Sequence, residues 1–159
     1  MPISSETSWQ RLCTAGTHVA EESLNKLSEQ IIGAAISVHR RVGPGCLESA
    51  YAPCFVLELC RRRLDFRREV ALRLHYDELV VDRAYVADFV VGDSIVVELK
   101  AMSRIGETER RQLQTYLEII GYPLGLLINF SALKLVDGIK RVVHNFPIGT
   151  RREPEDVHP

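Results

Sequence analysis

Three segments in the second half of the chain leave little freedom in how it can fold. Ile95–Leu99 is a short run of apolar, mostly β-branched residues. Glu107–Ile120 has helical character and is closed by Gly121 and Pro123, and Leu124–Ile128 is a second apolar run. Strand, helix and strand in that order imply parallel pairing through a right-handed crossover. The segments upstream pair differently. Val70–Leu74 and Leu79–Val81 flank a turn at Tyr76–Asp77, and Tyr85–Lys100 reads as a hairpin around Gly92–Asp93. The expected fold is therefore α/β, a mixed sheet with helices on its faces.

The remaining elements follow from periodicity and breakers. Leu24, Leu27, Ile31, Ala34, Ala35, Val38 and Val42 recur at helical spacing and predict a helix over Leu24–Val42, stopped by Gly43–Pro44–Gly45. A second helix is expected from about Glu48 to Arg63, and a last strand at Lys140–Asn145. Residues 1–20 read as a loose N-terminal arm with at most a short helix. Residues 148–159 read as a charged, proline-containing, flexible tail, which leaves 21–147 as one domain.

The hairpin carries three charges where apolar side chains belong: Asp88, Glu98 and Lys100. Glu98 and Lys100 share one face of their strand and Leu99 takes the other. Both faces of that strand are otherwise apolar, so it is expected to be covered on both sides. Charges at the end of a buried strand are costly unless compensated. A salt bridge from Lys100 to one acid would compensate an isolated E-x-K. With Asp88 across the hairpin, metal coordination becomes the stronger reading. Two acids and a lysine on rigid strands can hold a divalent cation and steer a water at a phosphodiester.

Other polar residues lie within reach of that group. Glu48 opens the second helix, where an acid is favourable near the N-terminus, yet it shares the stripe of Ala52, Phe55 and Leu59. Gln112 sits one turn before Tyr116 on the crossover helix, whose start lies near the strand end where ligands collect. Arg104, Arg110 and Arg111 follow the Glu98–Lys100 strand and are candidate phosphate contacts, with Tyr116 a further nucleic-acid contact, whereas the cluster of Arg61–Arg62–Arg63 and Arg67–Arg68 reads as a solvated face. His39 is read as a structural histidine at a helix end, with phosphate contact the lesser alternative.

Composition removes several classes. The formal net charge is −1, so the chain is not a strongly basic nucleic-acid binder as a whole. No apolar run is long enough to span a bilayer, and Met1–Thr17 shows no basic-then-apolar leader, so no membrane partner and a cytoplasmic location are expected. Cys13, Cys46, Cys54 and Cys60 contain no C-x-x-C pair. They are expected to be reduced and to act as buried small hydrophobes.

Gly45–Cys46–Leu47–Glu48–Ser49–Ala50–Tyr51 fits G-x-x-E-x-x-Y. With the flanking Val38–Gly45 segment, the Val97–Ala101 run and Leu126–Phe130, the chain resembles the GxxExxY family of the PD-(D/E)XK nuclease superfamily over roughly Leu24 to Phe146. The resemblance implies a restriction-endonuclease-like fold. It matches Asp88 to the first motif acid, Glu98 and Lys100 to the (D/E)-x-K pair, and Glu48 to a helical acid near the metal. Gln112 and Tyr116 match the Q-x-x-x-Y helix of RecB-like nucleases. Ala87 stands where the superfamily's leading proline would be.

The expected activity is metal-dependent phosphodiester hydrolysis, with DNA favoured over RNA and homodimerisation left open. Asp88 and Glu98 are expected to bind Mg²⁺ or Mn²⁺ with the Leu99 carbonyl and waters, an all-oxygen shell suited to hard cations. Lys100 would orient the attacking water or stabilise transition-state charge. Glu48 would act through water or at a second metal, and Gln112 would position the nucleophile or phosphate. The rival reading is a non-catalytic nucleic-acid- or protein-binding module on the same fold.

Overall fold

The structure, a computed structural model, describes residues 8–145, with side chains described from residue 20 onward. Residues 1–7 of the expected arm and the whole of the expected tail lie outside the described residues. Helix α1 (Ser8–Val42) and helix α2 (Glu48–Arg61) come first. Strands β1 (Phe66–Tyr76), β2 (Leu79–Val91) and β3 (Ile95–Lys100) follow, then helix α3 (Glu107–Ile120) and strand β4 (Leu124–Asn129). A short 3₁₀ helix (Leu135–Gly138) leads into the last strand, β5 (Ile139–Val143).

The five strands form one sheet in the order β1-β2-β3-β4-β5. Only β3 and β4 are parallel, in register from Ile95 opposite Leu124 to Lys100 opposite Asn129. The other neighbours are antiparallel. The crossover through α3 is thus the one the chain order implies, and the sheet is mixed.

Helices cover both faces. On one, Ile31 and Val38 of α1 and Phe55 and Leu59 of α2 pack on Phe89, Val97 and Leu126. On the other, Leu113 and Leu117 of α3 pack on Val96 and Leu127. Every residue of β4 is buried, as a strand covered on both faces must be. Gly125 makes the second packing possible: a Cβ there would stand 2.7 Å from the Leu113 side chain, so α3 seats closely only over a glycine.

Two elements are longer than the sequence pattern predicts. Helix α1 begins at Ser8 rather than Leu24, because no proline stands between Ser8 and Val42 and a helix nucleated by its packed half can propagate. The separate runs at 79–81 and 85–91 are one strand. The intervening Asp82 pairs with Arg73 across the ribbon at 3.0 Å, so polar residues continue the strand outside the core.

The arginines at the end of α2 are a solvated face only in part: Arg61 and Arg63 are exposed, whereas Arg62 is half-buried. Glu58, only 5 % exposed, is bonded by Arg41, Arg61 and Arg62. Arg62 also donates to the Gly33 carbonyl and to Ser37 Oγ, which ties α2 to α1. The hydrogen bond from Arg62 chiefly holds the Glu58 carboxyl below its ordinary range, with Arg61 and Arg41 adding to the effect against the opposing burial. The cysteine expectation is corrected in part. Cys46 and Cys54 are half-buried, but Cys60, on the outer side of α2, is exposed. Cys13 lies outside the described side chains.

Candidate active site

The hairpin of β2 and β3 is paired at only three rungs: Val91 with Ile95, Val90 with Val96, and Phe89 with Val97. The next rung would join Asp88 to Glu98. There the two carboxylates replace the strand carbonyls as acceptors. The Asp88 backbone N–H donates to Glu98 Oε1 at 2.8 Å, and the Leu99 N–H donates to Asp88 Oδ2 at 2.9 Å. On its other side, β2 pairs with β1 at Arg68–Phe89 and at Val70–Ala87, with no rung between Glu69 and Asp88. Glu69 has φ +49°, a left-handed conformation uncommon for a residue with a side chain. The β1–β2 ladder therefore skips a rung at Asp88 and the β2–β3 ladder ends beside it, and on the β3 side the freed N–H groups of Asp88 and Leu99 are satisfied by the two acids.

The electrostatics follow from that placement. Glu98 is 3 % exposed, and its one cationic partner among the described residues is Lys100, whose Nζ is 3.4 Å from Oε2. Burial pushes the Glu98 carboxyl up to about 7, and the Asp88 charge adds to the rise against the Asp88 N–H and Lys100. Burial also raises Asp88, against the Leu99 N–H and Lys100, with Glu69 adding to the rise. These acids are crowded rather than neutralised.

Glu48 joins them from α2, and its motif explains how. Gly45 has φ +104°, which only glycine adopts without strain. Tyr51, fully buried one turn after Glu48, donates its hydroxyl proton to the Gly43 carbonyl at 2.7 Å and accepts from the Cys46 N–H at 3.1 Å. Its ring stacks on Phe130 with centroids 4.4 Å apart. The loop before α2 is thereby fixed to the end of β4, and Glu48 is presented to the tip of β3, where the Ala101 backbone favours its charged form. Partial burial is the first cause of its raised carboxyl, opposed by Lys100 and reinforced by Asp88. The role of Tyr51 was absent from the sequence reading, although the third position of the motif marks it.

Tyr116 of α3 closes the other side. Its ring lies 5.4 Å from that of Tyr85, and burial, then the charges of Glu98 and Asp88, push its hydroxyl up to about 12. Gln112 is exposed and makes no hydrogen bond among the described residues, so no contact draws it to the acids. Arg104, Arg110 and Arg111 are exposed on the approach to α3 and its first turns, and Arg111 pairs with Glu107 at 3.2 Å. His39 is occupied structurally: its Nε2 lies 2.8 Å from the Ala132 carbonyl oxygen and links α1 to the loop after β4. Glu69 is absent from the sequence expectations, and Arg68 is expected there only as part of a solvated basic cluster. They line a recess of about 300 Å³ with Glu48, Ser49 and Asp88, and the Arg68 guanidinium lies 5.6 Å from the Phe89 ring centre. Nothing in the local sequence marks them as part of a site, because the consecutive charges Arg67–Arg68–Glu69 look like an ordinary solvated stretch.

Among the described residues, no three His, Cys, Asp or Glu side chains converge as a ready-made metal cage. The group nevertheless suits a hard cation. Its donors are all oxygens, and the second oxygen of Asp88 accepts no hydrogen bond among the described residues. Three raised carboxyls share one lysine, an imbalance that a bound divalent cation relieves.

Among the described residues, no helix is long and apolar enough to cross a membrane. A family model for the PD-(D/E)XK nuclease superfamily matches residues 25–142, which takes in every site residue named above. No curated protein and no solved structure matches the chain.

Proposed function

This chain belongs to the PD-(D/E)XK nuclease superfamily, and from that premise we propose that it is a divalent-metal-dependent nuclease that hydrolyses phosphodiester bonds of nucleic acid, DNA before RNA. Its mixed five-stranded sheet between helical layers is the restriction-endonuclease-like architecture. Within the superfamily we assign it to the GxxExxY group, on the fit of Gly45, Glu48 and Tyr51 to that motif.

One observation carries the reading: the buried Glu98 and the half-buried Asp88 face each other where the strand ladder lapses, with a single lysine beside them. In the proposed mechanism, Asp88, Glu98 and the Leu99 carbonyl would hold Mg²⁺ or Mn²⁺, which when bound would supply an acidified water and neutralisation of charge on the phosphate. Lys100 orients the attacking water or stabilises the transition-state charge. Glu48 completes the site through water, and Gln112 positions the phosphate from α3. Tyr116, with Tyr85, excludes bulk water from the α3 side.

The test is cleavage of single-stranded, duplex and branched DNA and of RNA with and without Mg²⁺ or Mn²⁺, together with Mn²⁺ calorimetry of wild type and Asp88→Asn. Metal-dependent cleavage and weakened Mn²⁺ binding in Asp88→Asn are expected. Unchanged Mn²⁺ affinity in Asp88→Asn removes Asp88 from the metal shell. Nucleic-acid binding with no cleavage of any substrate selects the non-catalytic binding module instead.

A further inference from the structure

A second recess, of about 650 Å³, opens beside the ends of β3 and β4. One wall is the segment after Lys100 and the start of α3, which contribute Arg104 and Arg110. The other wall is the 3₁₀ helix and the start of β5, which contribute Asp137 and Lys140. None of the three cations has an ion pair or hydrogen bond among the described residues. The other carboxylate on the walls, Glu107, is taken by Arg111. Lys140 is half-buried, and a cation withdrawn from water without a partner is costly. Against the three cations stands one acid without an ion pair, Asp137, so the recess keeps a net positive charge.

Its walls are also held in place. Asn129, 3 % exposed, accepts from the Met102 N–H at 3.1 Å and donates to the Met102 carbonyl at 2.7 Å, which fixes the loop that carries Arg104. Gly138 lies so close to the floor that an added Cβ would stand 2.5 Å from the Asn129 carbonyl oxygen. The 3₁₀ helix is thus seated directly on the end of β4. Asn129 is the register partner of Lys100, so the recess adjoins the carboxylate site along a single rung of the sheet.

We propose that this recess takes the sugar–phosphate backbone of the substrate strand beside the bond that is cut, with Arg104, Arg110 and Lys140 each contacting phosphate. The inference rests on the nuclease reading above and adds Lys140 and the 3₁₀ helix to it. Phosphate contacts position a strand without reading its sequence, and each neutralised phosphate contributes to the salt dependence of binding.

The experiment measures binding of fluorescent single-stranded and duplex DNA and of RNA by anisotropy, in chelator to prevent cleavage, across a salt series. It compares wild type with the triple variant Arg104→Ala, Arg110→Ala, Lys140→Met, and with the single charge reversal Arg110→Glu, whose exposed site spares the fold. The control is Arg40→Ala with Arg63→Ala, two exposed arginines on other surfaces. The triple variant is expected to bind at least about tenfold more weakly and to lose about 2–3 units of the slope of log K against log salt. Arg110→Glu weakens binding in the same direction, and the control does not. Cleavage by the triple variant shows a raised KM with kcat retained, as expected when binding is lost equally from ground and transition states. Wild-type affinity and slope in both the triple variant and Arg110→Glu overturn the proposal while leaving the nuclease reading intact. A wild type that binds none of the nucleic acids overturns both.

Discussion

Among the described residues two glutamates are buried, and the chain treats them in opposite ways. Glu58 has three arginine partners and a carboxyl held below its ordinary range. Glu98 has one lysine at 3.4 Å, a second acid facing it, and a carboxyl raised to about 7. The first is a finished structural joint between two helices. The second is left with charge uncompensated at the centre of the sheet. Burying an acid is costly in either place. The difference is that the protein completes the compensation at Glu58 and leaves it incomplete at Glu98, which is what a site awaiting a cation requires.

The largest expected effect concerns the lone lysine. Lys100→Ala should lower cleavage by roughly 100-fold or more, on the scale of losing a group that stabilises transition-state charge. Its thermal melt should stay close to wild type, and cleavage at the wild-type rate would make Lys100 a mere partner of Glu98.

Next in size is a difference in pH signature. Glu98 has a folded-state value of about 7 against an ordinary 4.5. Between those values the folded chain holds a proton that the unfolded chain lacks, so stability falls as pH rises from about 4.5 to about 7. The loss is of order 3 kcal/mol in the metal-free protein. Glu58 has the opposite sign: its contribution is present above about 4.5 and is lost as pH falls through its lowered folded value. Urea midpoints across pH should therefore show a neutral-side decline that Glu98→Gln flattens and an acid-side loss that Glu58→Gln flattens. Mn²⁺ should reduce the neutral-side decline, because the cation takes the place of the proton. A decline that persists in full in Glu98→Gln would assign it to other groups.

At neutral pH, Glu58→Gln should cost about 2 kcal/mol. A buried ion pair loses more when one partner is removed, but Arg41 and Arg61 keep much of their solvent and Arg62 some of it. The smallest effect is at the loop that presents Glu48. Tyr51→Phe removes the hydroxyl that joins Gly43 to Cys46 and should cost about 1 kcal/mol of stability. A denaturant midpoint indistinguishable from wild type would mean that the loop is held by the Phe130 stack alone.

Local patterns made part of this contrast legible in the sequence. The crossover through α3, the helix stop at Gly43–Pro44–Gly45 and the three charges of the hairpin are each encoded within a few residues of one another, so periodicity and turn chemistry expose them. The Glu58 joint was misread because its partners come from 17 residues upstream as well as from the same helix turn, and a run of arginines looks solvated until the facing helix is known. Glu69 and Lys140 were missed for the same reason. Glu69 comes opposite Asp88 only through the pairing register of β1 and β2, and Lys140 faces the recess only because the 3₁₀ helix folds back onto β4. Gln112 was singled out by its position one turn from Tyr116, yet it stands exposed without a contact to the acids.

The most direct measurement is Mn²⁺-dependent cleavage of nucleic acid by three preparations of equal fold, judged by circular dichroism: wild type, Glu58→Gln and Glu98→Gln. Wild type and Glu58→Gln should cleave at comparable rates below their melting temperatures, and Glu98→Gln should not cleave. Equal cleavage by Glu98→Gln would contradict the account, since the acid left uncompensated would then do nothing that the compensated one does not.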